Sequence, residues 1–145
     1  MSTDPDLAQK LITDIEAANR LESGKDISRA INMYLAAWDA LPSPKGECEL
    51  FSSWISDCLV NCYLKTNALE NATKWAFQSF ASRPSNIETS SLVQLGLVHL
   101  KLQKHDEAFK WFDEAFTIGN KRAFKDFPSE CIDFYLKRKN ELMGS

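Results

Sequence analysis

Residues 92–116 read LVQLGLVHLKLQKHDEAFKWFDEAF. Apolar residues recur three and four apart on both sides of the polar turn QKHDE, the pattern of two amphipathic helices joined tightly. The second half has a counterpart 36 residues upstream: NATKWAFQSF (71–80) matches EAFKWFDEAF (107–116) in its Lys-Trp pair and in its Ala and Phe spacing. A third copy aligns without gaps when RAINMYLAAWDALP (29–42) is set against NATKWAFQSFASRP (71–84) and EAFKWFDEAFTIGN (107–120). Ala30, Ala72 and Ala108 then coincide, followed by Tyr34, Ala76 and Phe112. The small residues Ala37, Ser79 and Ala115 come next, each followed by an aromatic, Trp38, Phe80 or Phe116. Pro42 and Pro84 close the first two copies, and Asn120 stands in the third.

The helices upstream of these copies keep the same register. Ala18, Val60 and Gly96 lie twelve residues before the shared alanines, preceded by Ala17, Leu59 and Leu95 and followed three on by Leu21, Tyr63 and His99. Over residues 11–120 the sequence resembles the tetratricopeptide repeat (TPR), a helix–turn–helix unit of about 34 residues. Leu95-Gly96, Ala108, Phe112 and Ala115 carry the best match. The resemblance implies an all-α chain: a right-handed superhelix of three TPR-like helix–turn–helix pairs plus a C-terminal capping helix. It implies a single domain over 1–145, with repeats near 6–42, 48–84 and 87–120 and a cap at 128–143. One pair cannot bury its apolar stripe alone, so pairs stack and the ends need caps. The shared alanines are 42 and then 36 residues apart. PSPKGECELF (42–51) therefore holds extra residues, which either extend the third helix or form a loop. The last segment has no partner helix, and Ile132, Phe134, Tyr135 and Leu136 are expected to supply its buried side.

Proline and glycine punctuate the chain at Gly24, Pro42 to Gly46, Pro84, Gly119 and Pro128. Between them the periodicity predicts helices near 6–22, 27–41, 49–66, 69–82, 88–103, 106–118 and 129–142. No long segment alternates with period two. Asp4-Pro5 is a helix start, Ser85 and Asn86 offer a cap for the fifth helix, and Lys137 to Lys139 read as a basic, solvated helix end.

Composition excludes several classes. The 145 residues suffice for one core but not two ordinary domains. A net charge of −3 lacks the basic footprint that phosphate binding needs, so nucleic acid is not an expected partner. No apolar run reaches the roughly 20 residues that span a bilayer, and MSTDPDLAQK is polar and acidic, unlike a secretory signal. The expected location is cytoplasmic. Cys48, Cys58, Cys62 and Cys131 read as reduced core thiols. Cys58 and Cys62 share a helix face, but no nearby histidine completes a tetrahedral metal site.

Catalytic chemistry finds little support. Neither histidine belongs to a motif: His105 falls in a turn, and His99 takes the place usually held by a packed tyrosine. Phosphate loops, His-Glu-x-x-His and Gly-x-Ser-x-Gly are missing. The expectation is a non-enzyme with no cofactor and no metal.

Binding is the expected activity. By the TPR resemblance, the first helix of each pair lines a concave groove. Its positions here are Ile12, Ile15, Asn19 and Glu22; then Trp54, Asp57, Asn61, Leu64 and Lys65; then Ser90, Val93, Leu97, Leu100 and Lys101. The clamp with which TPR co-chaperones grip a C-terminal carboxylate needs cations where this chain has Ile15, Ser90 and Gln94. The build resembles small bacterial three-repeat TPR proteins, some of which are immunity partners that neutralise toxins by stoichiometric occlusion. Two other roles are open: a TPR-type secretion chaperone holding an extended segment of its partner, and a structural assembly subunit. The expected partner is another protein, either a folded toxin domain or an extended peptide, and the chain itself is expected to be a monomer or weak dimer.

Overall fold

The computed structural model describes residues 4–43, 45 and 48–144. Among them are seven α-helices: α1 Pro5–Ser23, α2 Ile27–Asp39, α3 Glu49–Lys65, α4 Leu69–Ala81, α5 Ser90–Lys101, α6 His105–Gly119 and α7 Ser129–Gly144. A short 3₁₀ segment, Asn120–Phe124, follows α6. The fold is all-α, as the 3.6-residue periodicity requires. The apolar stripes become the buried faces: Leu11, Ile15 and Ala18 on α1, Ala30, Tyr34 and Ala37 on α2, and Ala108, Phe112 and Ala115 on α6.

One turn is built three times. Lys25, Asn67 and Gln103 adopt left-handed backbone with φ of 69°, 58° and 64°. Each stands five residues before a shared alanine. Asp26, Ala68 and Lys104 then donate their backbone N–H to the carbonyls of Leu21, Tyr63 and His99, at 2.9, 2.8 and 2.9 Å. The left-handed residues themselves bond back to Glu22, Leu64 and Leu100. This is the Schellman closure, which satisfies the last carbonyls of the first helix while redirecting the chain into the second. Glycine normally takes the left-handed position. Here Gly24 stands one residue too early, at φ −80°, and Lys25 bears the positive φ.

The chain divides into two compact units, Met1–Pro84 and Ser85–Ser145, with the boundary at the proline that closes the second repeat. In the first, α1 packs on α2, α3 on α4, and α2 on α3. In the second, α5 packs on α6, while α7 and the 3₁₀ segment lie against both. Gly96 of α5 faces Phe112 of α6 so closely that a Cβ on residue 96 would fall 2.3 Å from the ring. Around this contact gather Phe124, 5.6 Å from Phe112 between ring centroids, and Phe134, at 6.0 Å.

Several local expectations need correction. The fifth helix starts at Ser90 with Thr89 at its N-cap, and Glu88, the residue before, accepts from Ser91 N–H at 2.9 Å. Ser85 instead closes a small turn by accepting from Ile87 N–H. Asp4 occupies the N-cap of α1 without a side-chain bond. Lys137 to Lys139 are not a helix end, because α7 continues to Gly144. Arg138 pairs with Asp106, and Lys139 lies 3.5 Å from Asp113, which ties α7 to α6. The side α7 buries is Cys131 and Tyr135, with Ile132, Phe134 and Leu136 only half-buried. Of the 42–51 stretch, residues 44, 46 and 47 lie outside the described residues. Its last three residues begin α3, and Lys45 Nζ caps the end of α2 by donating to the carbonyls of Trp38 and Leu41.

Candidate functional site

Helix register places the candidate residues of the first unit in two stripes. On α1, Ile12, Ile15, Asn19 and Glu22 follow one another at three and four. On α3, Trp54, Asp57, Asn61 and Leu64 do the same, with Cys58 and Lys65 one residue on from Asp57 and Leu64. Contacts between the stripes run in step, Asn19 with Cys58 and Glu22 with Lys65.

The C-terminal halves of α1 and α3 hold a polar network. Lys65 Nζ lies 2.7 Å from Glu22 Oε2, and the Glu22 side chain retains only 14% of its exposure. Tyr34, buried on α2, brings its hydroxyl 2.9 Å from Glu22 Oε1 and 2.5 Å from Asn19 Oδ1. A phenol has one proton to give. With the Asn19 amide turned so that its NH₂ faces Tyr34, that proton goes to the charged Glu22 and both contacts are satisfied. Burial, then the neighbouring Cys58 and Glu22, pushes the Tyr34 phenol far above its ordinary range. Asn19, Glu22 and Lys65 are thus engaged within the fold. So is Asp57, which accepts from Ser79 Oγ on α4.

The N-terminal end of α3 is different in kind. Trp54 is half-buried and stacks on Phe51, with ring centroids 6.4 Å apart and planes inclined by 19°. Leu50, one turn before Trp54, is 82% exposed. Leu50, Phe51 and Trp54 therefore form an apolar ledge with no charged group among them. Ile12 and Leu64 are half-buried, Asn61 is exposed, and Ile15 is fully buried, supporting α1 from beneath.

In the second unit the candidate positions are spread out. Ser90 and Lys101 are exposed and Leu100 is half-buried, whereas Val93 and Leu97 are buried. Lys101 pairs with Glu130 of α7 at 2.8 Å. Gln94 is buried with its Oε1 unpartnered. His99 is buried and hydrogen-bonded, its Nδ1 2.7 Å from the Leu95 carbonyl, and so is a packing residue.

Reactive groups are few. All four cysteines are free thiols. Burial pushes Cys58 up to about 11, and Cys62 and Cys131 up to about 12. A thiol so placed is protonated at neutral pH and a poor nucleophile. Among the described residues no cluster of three or more His, Cys, Asp or Glu is arranged to hold a metal. Nor is any helix there long and apolar enough to cross a membrane.

One feature went unread in the sequence. Trp38 of α2 and Trp75 of α4 meet edge to face, ring centroids 5.0 Å apart, beside a cleft of about 380 Å³ that Asp39, Lys74 and Gln78 also line. The recurring Lys-Trp pair pointed toward it: Lys74 Nζ sits 5.6 Å from the Trp75 ring, and Lys110 Nζ 5.5 Å from Trp111.

No protein-family model matches the sequence, and no curated relative matches it. The fold does have a match among solved structures. The C-terminal TPR-containing domain of a Plasmodium falciparum protein named for FK506 binding superposes with a TM-score of 0.72 at 18% identity. The match covers 97% of this chain and 93% of that domain. The chain thus has an all-α, TPR-like fold, and at this identity the likeness concerns the fold alone.

Proposed function

We propose that this protein is a non-catalytic protein-binding module, and that the ledge of Leu50, Phe51 and Trp54 at the start of α3 is its principal contact. The observation that carries this reading is Trp54 itself. It is a large aromatic, half-exposed and held in place by Phe51, and it stands where the TPR resemblance locates partner contacts. Aromatic anchors of this kind concentrate binding energy, and burying one on association is worth several kcal/mol in favourable cases, roughly 2–4. Of the polar positions near it, Asn19, Glu22, Asp57 and Lys65 are already paired internally. That disfavours a grip on a charged peptide terminus and favours contact with a folded surface.

In its specific form, the partner is a folded toxin domain that the chain neutralises by one-to-one occlusion in the cytoplasm, where buried, reduced thiols are stable. Affinity capture from the source cell with wild-type and Trp54→Ala chains is the test. We expect one stoichiometric protein partner, lost from Trp54→Ala although that variant melts as the wild type does. Capture of an unfolded or extended polypeptide instead would favour the secretion-chaperone role, and self-association through the chain ends the assembly role. Retention of the same partner by Trp54→Ala would remove the ledge from the account.

A further inference from the structure

The second unit carries a separate surface at the end of α6. There Asn120, with φ 55°, turns the chain into the 3₁₀ segment. Beside the turn lies an open depression of about 760 Å³, bounded by Phe116, Ile118, Gly119 and the stretch Asn120 to Arg122. A second depression of about 380 Å³ adjoins it, sharing Ile118, Gly119 and Arg122 and adding Ile87 and Thr89. Two features set this groove apart. Ile87 is 71% exposed and Ile118 is 40% exposed, so its walls offer aliphatic surface to solvent. Its rim is cationic: Lys121 and Arg122 are exposed, as is Lys125 one turn on.

The cations of this unit divide between paired and unpaired, Lys104, Lys110 and Lys137 having no carboxylate within 4 Å among the described residues. Lys101, Arg138 and Lys139 each have a carboxylate within 4 Å. Among the described residues Lys121, Arg122 and Lys125 have none. No Asp or Glu lines either depression, although Asp126 stands beside Lys125 in sequence. In a chain of net charge −3, a lining that holds Lys121, Arg122 and two exposed isoleucines and no acid is locally opposite in sign to the molecule. Such a field steers and selects an anionic partner.

We propose that this groove docks an acidic peptide segment of a partner protein, an aliphatic or aromatic side chain seated between Ile87 and Ile118 and flanking carboxylates on Lys121 and Arg122. A concave lining suits a peptide better than a lipid surface, which would meet a convex apolar face. Phe116, the aromatic on that lining, is packed against Phe124 and Tyr135 rather than free to stack on a base, which sets nucleic acid aside. The assignment does not depend on Trp54, which belongs to the other unit.

Fluorescence anisotropy on the full-length chain tests it, with a labelled peptide of about twelve residues in which Asp and Glu flank two leucines. A Lys-for-acid counterpart and phosphatidylserine vesicles are the comparison ligands. We expect the acidic peptide to bind, the basic one not to, and affinity to fall as salt rises. Lys121→Glu/Arg122→Glu is expected to weaken binding about tenfold or more, and Ile118→Asp to do likewise. All these side chains are exposed, so the variants keep the wild-type circular dichroism. Trp54→Ala is expected to leave this affinity unchanged, which separates the groove from the α3 ledge. No binding of the acidic peptide, binding insensitive to the double charge reversal, or binding to vesicles alone would overturn the proposal.

Discussion

Gly96 and Phe112 are complementary halves of one contact: a Cβ added to Gly96 would lie 2.3 to 2.9 Å from three atoms of the Phe112 ring. Sixteen residues separate them. The same separation links Ala18 to Tyr34 and Val60 to Ala76, and all four of those residues are fully buried. Across the three repeats, an aromatic on the second helix meets Ala or Gly on the first, and alanine on the second helix meets valine. The repeat conserves filled space rather than residue identity.

Gly96→Ala tests this directly because two effects oppose each other. Removing a mid-helix glycine stabilises by about 0.5–1 kcal/mol, while overpacking a filled core costs about 1–3 kcal/mol. The Phe112 ring cannot swing aside between Phe124 and Phe134. Net destabilisation in urea unfolding is therefore expected. Gly96→Val/Phe112→Ala, which installs the pair of the second repeat, should lose less stability than the sum of its single changes.

The left-handed turns predict gains. A non-glycine residue there costs about 1–2 kcal/mol relative to glycine, partly offset by the greater entropy of glycine in the unfolded chain. Lys25→Gly and Gln103→Gly should each raise stability by about 0.5–1 kcal/mol. Asn67→Gly should gain less, because asparagine tolerates this region. Gly24→Ala should be nearly neutral, its Cβ meeting only ordinary contacts at 3.4 Å and beyond. Thermal unfolding of the four variants checks the ordering.

The thiols give a pH dependence with a defined sign. Cys62 and Cys131 rise from an ordinary 9.0 to about 12 in the folded chain. Above pH 9 the unfolded state therefore releases protons that the folded state keeps, and stability falls as pH increases from about 9 toward 12. The raised phenols of Tyr34, Tyr63 and Tyr135 act in the same direction at the upper end of that window. Urea midpoints should be level between pH 7 and 8 and decline above 9. At neutral pH, thiol-reactive dye should label Cys62 and Cys131 slowly in the native protein and rapidly once it is unfolded.

Much of this architecture could be read from residue spacing, since the shared alanines, the Gly96 register and every helix follow from apolar periodicity. The left-handed geometry of the turns could not, because Lys25 and Gln103 give no local signal for a positive φ and Asn67 only a weak one. Pairings such as Glu22 with Lys65 and Lys101 with Glu130 join residues far apart in sequence, and only the fold brings them together. They matter to the site, because they commit to internal contacts several side chains that the TPR resemblance places on a binding face. Trp54 is a candidate contact by the place the TPR resemblance gives it, whereas the Trp38–Trp75 cleft required knowing how α2 and α4 meet.

The central claim, that the α3 face engages a protein partner, is tested most directly by photocrosslinking in the source cell. A photoreactive amino acid at Asn61, exposed on α3, is compared with one at Asn71, exposed on α4. The account predicts a single protein adduct from position 61 that disappears when Trp54→Ala is added, and none from position 71. Adducts from position 71 alone, or a position-61 adduct that persists with Trp54→Ala, would contradict it.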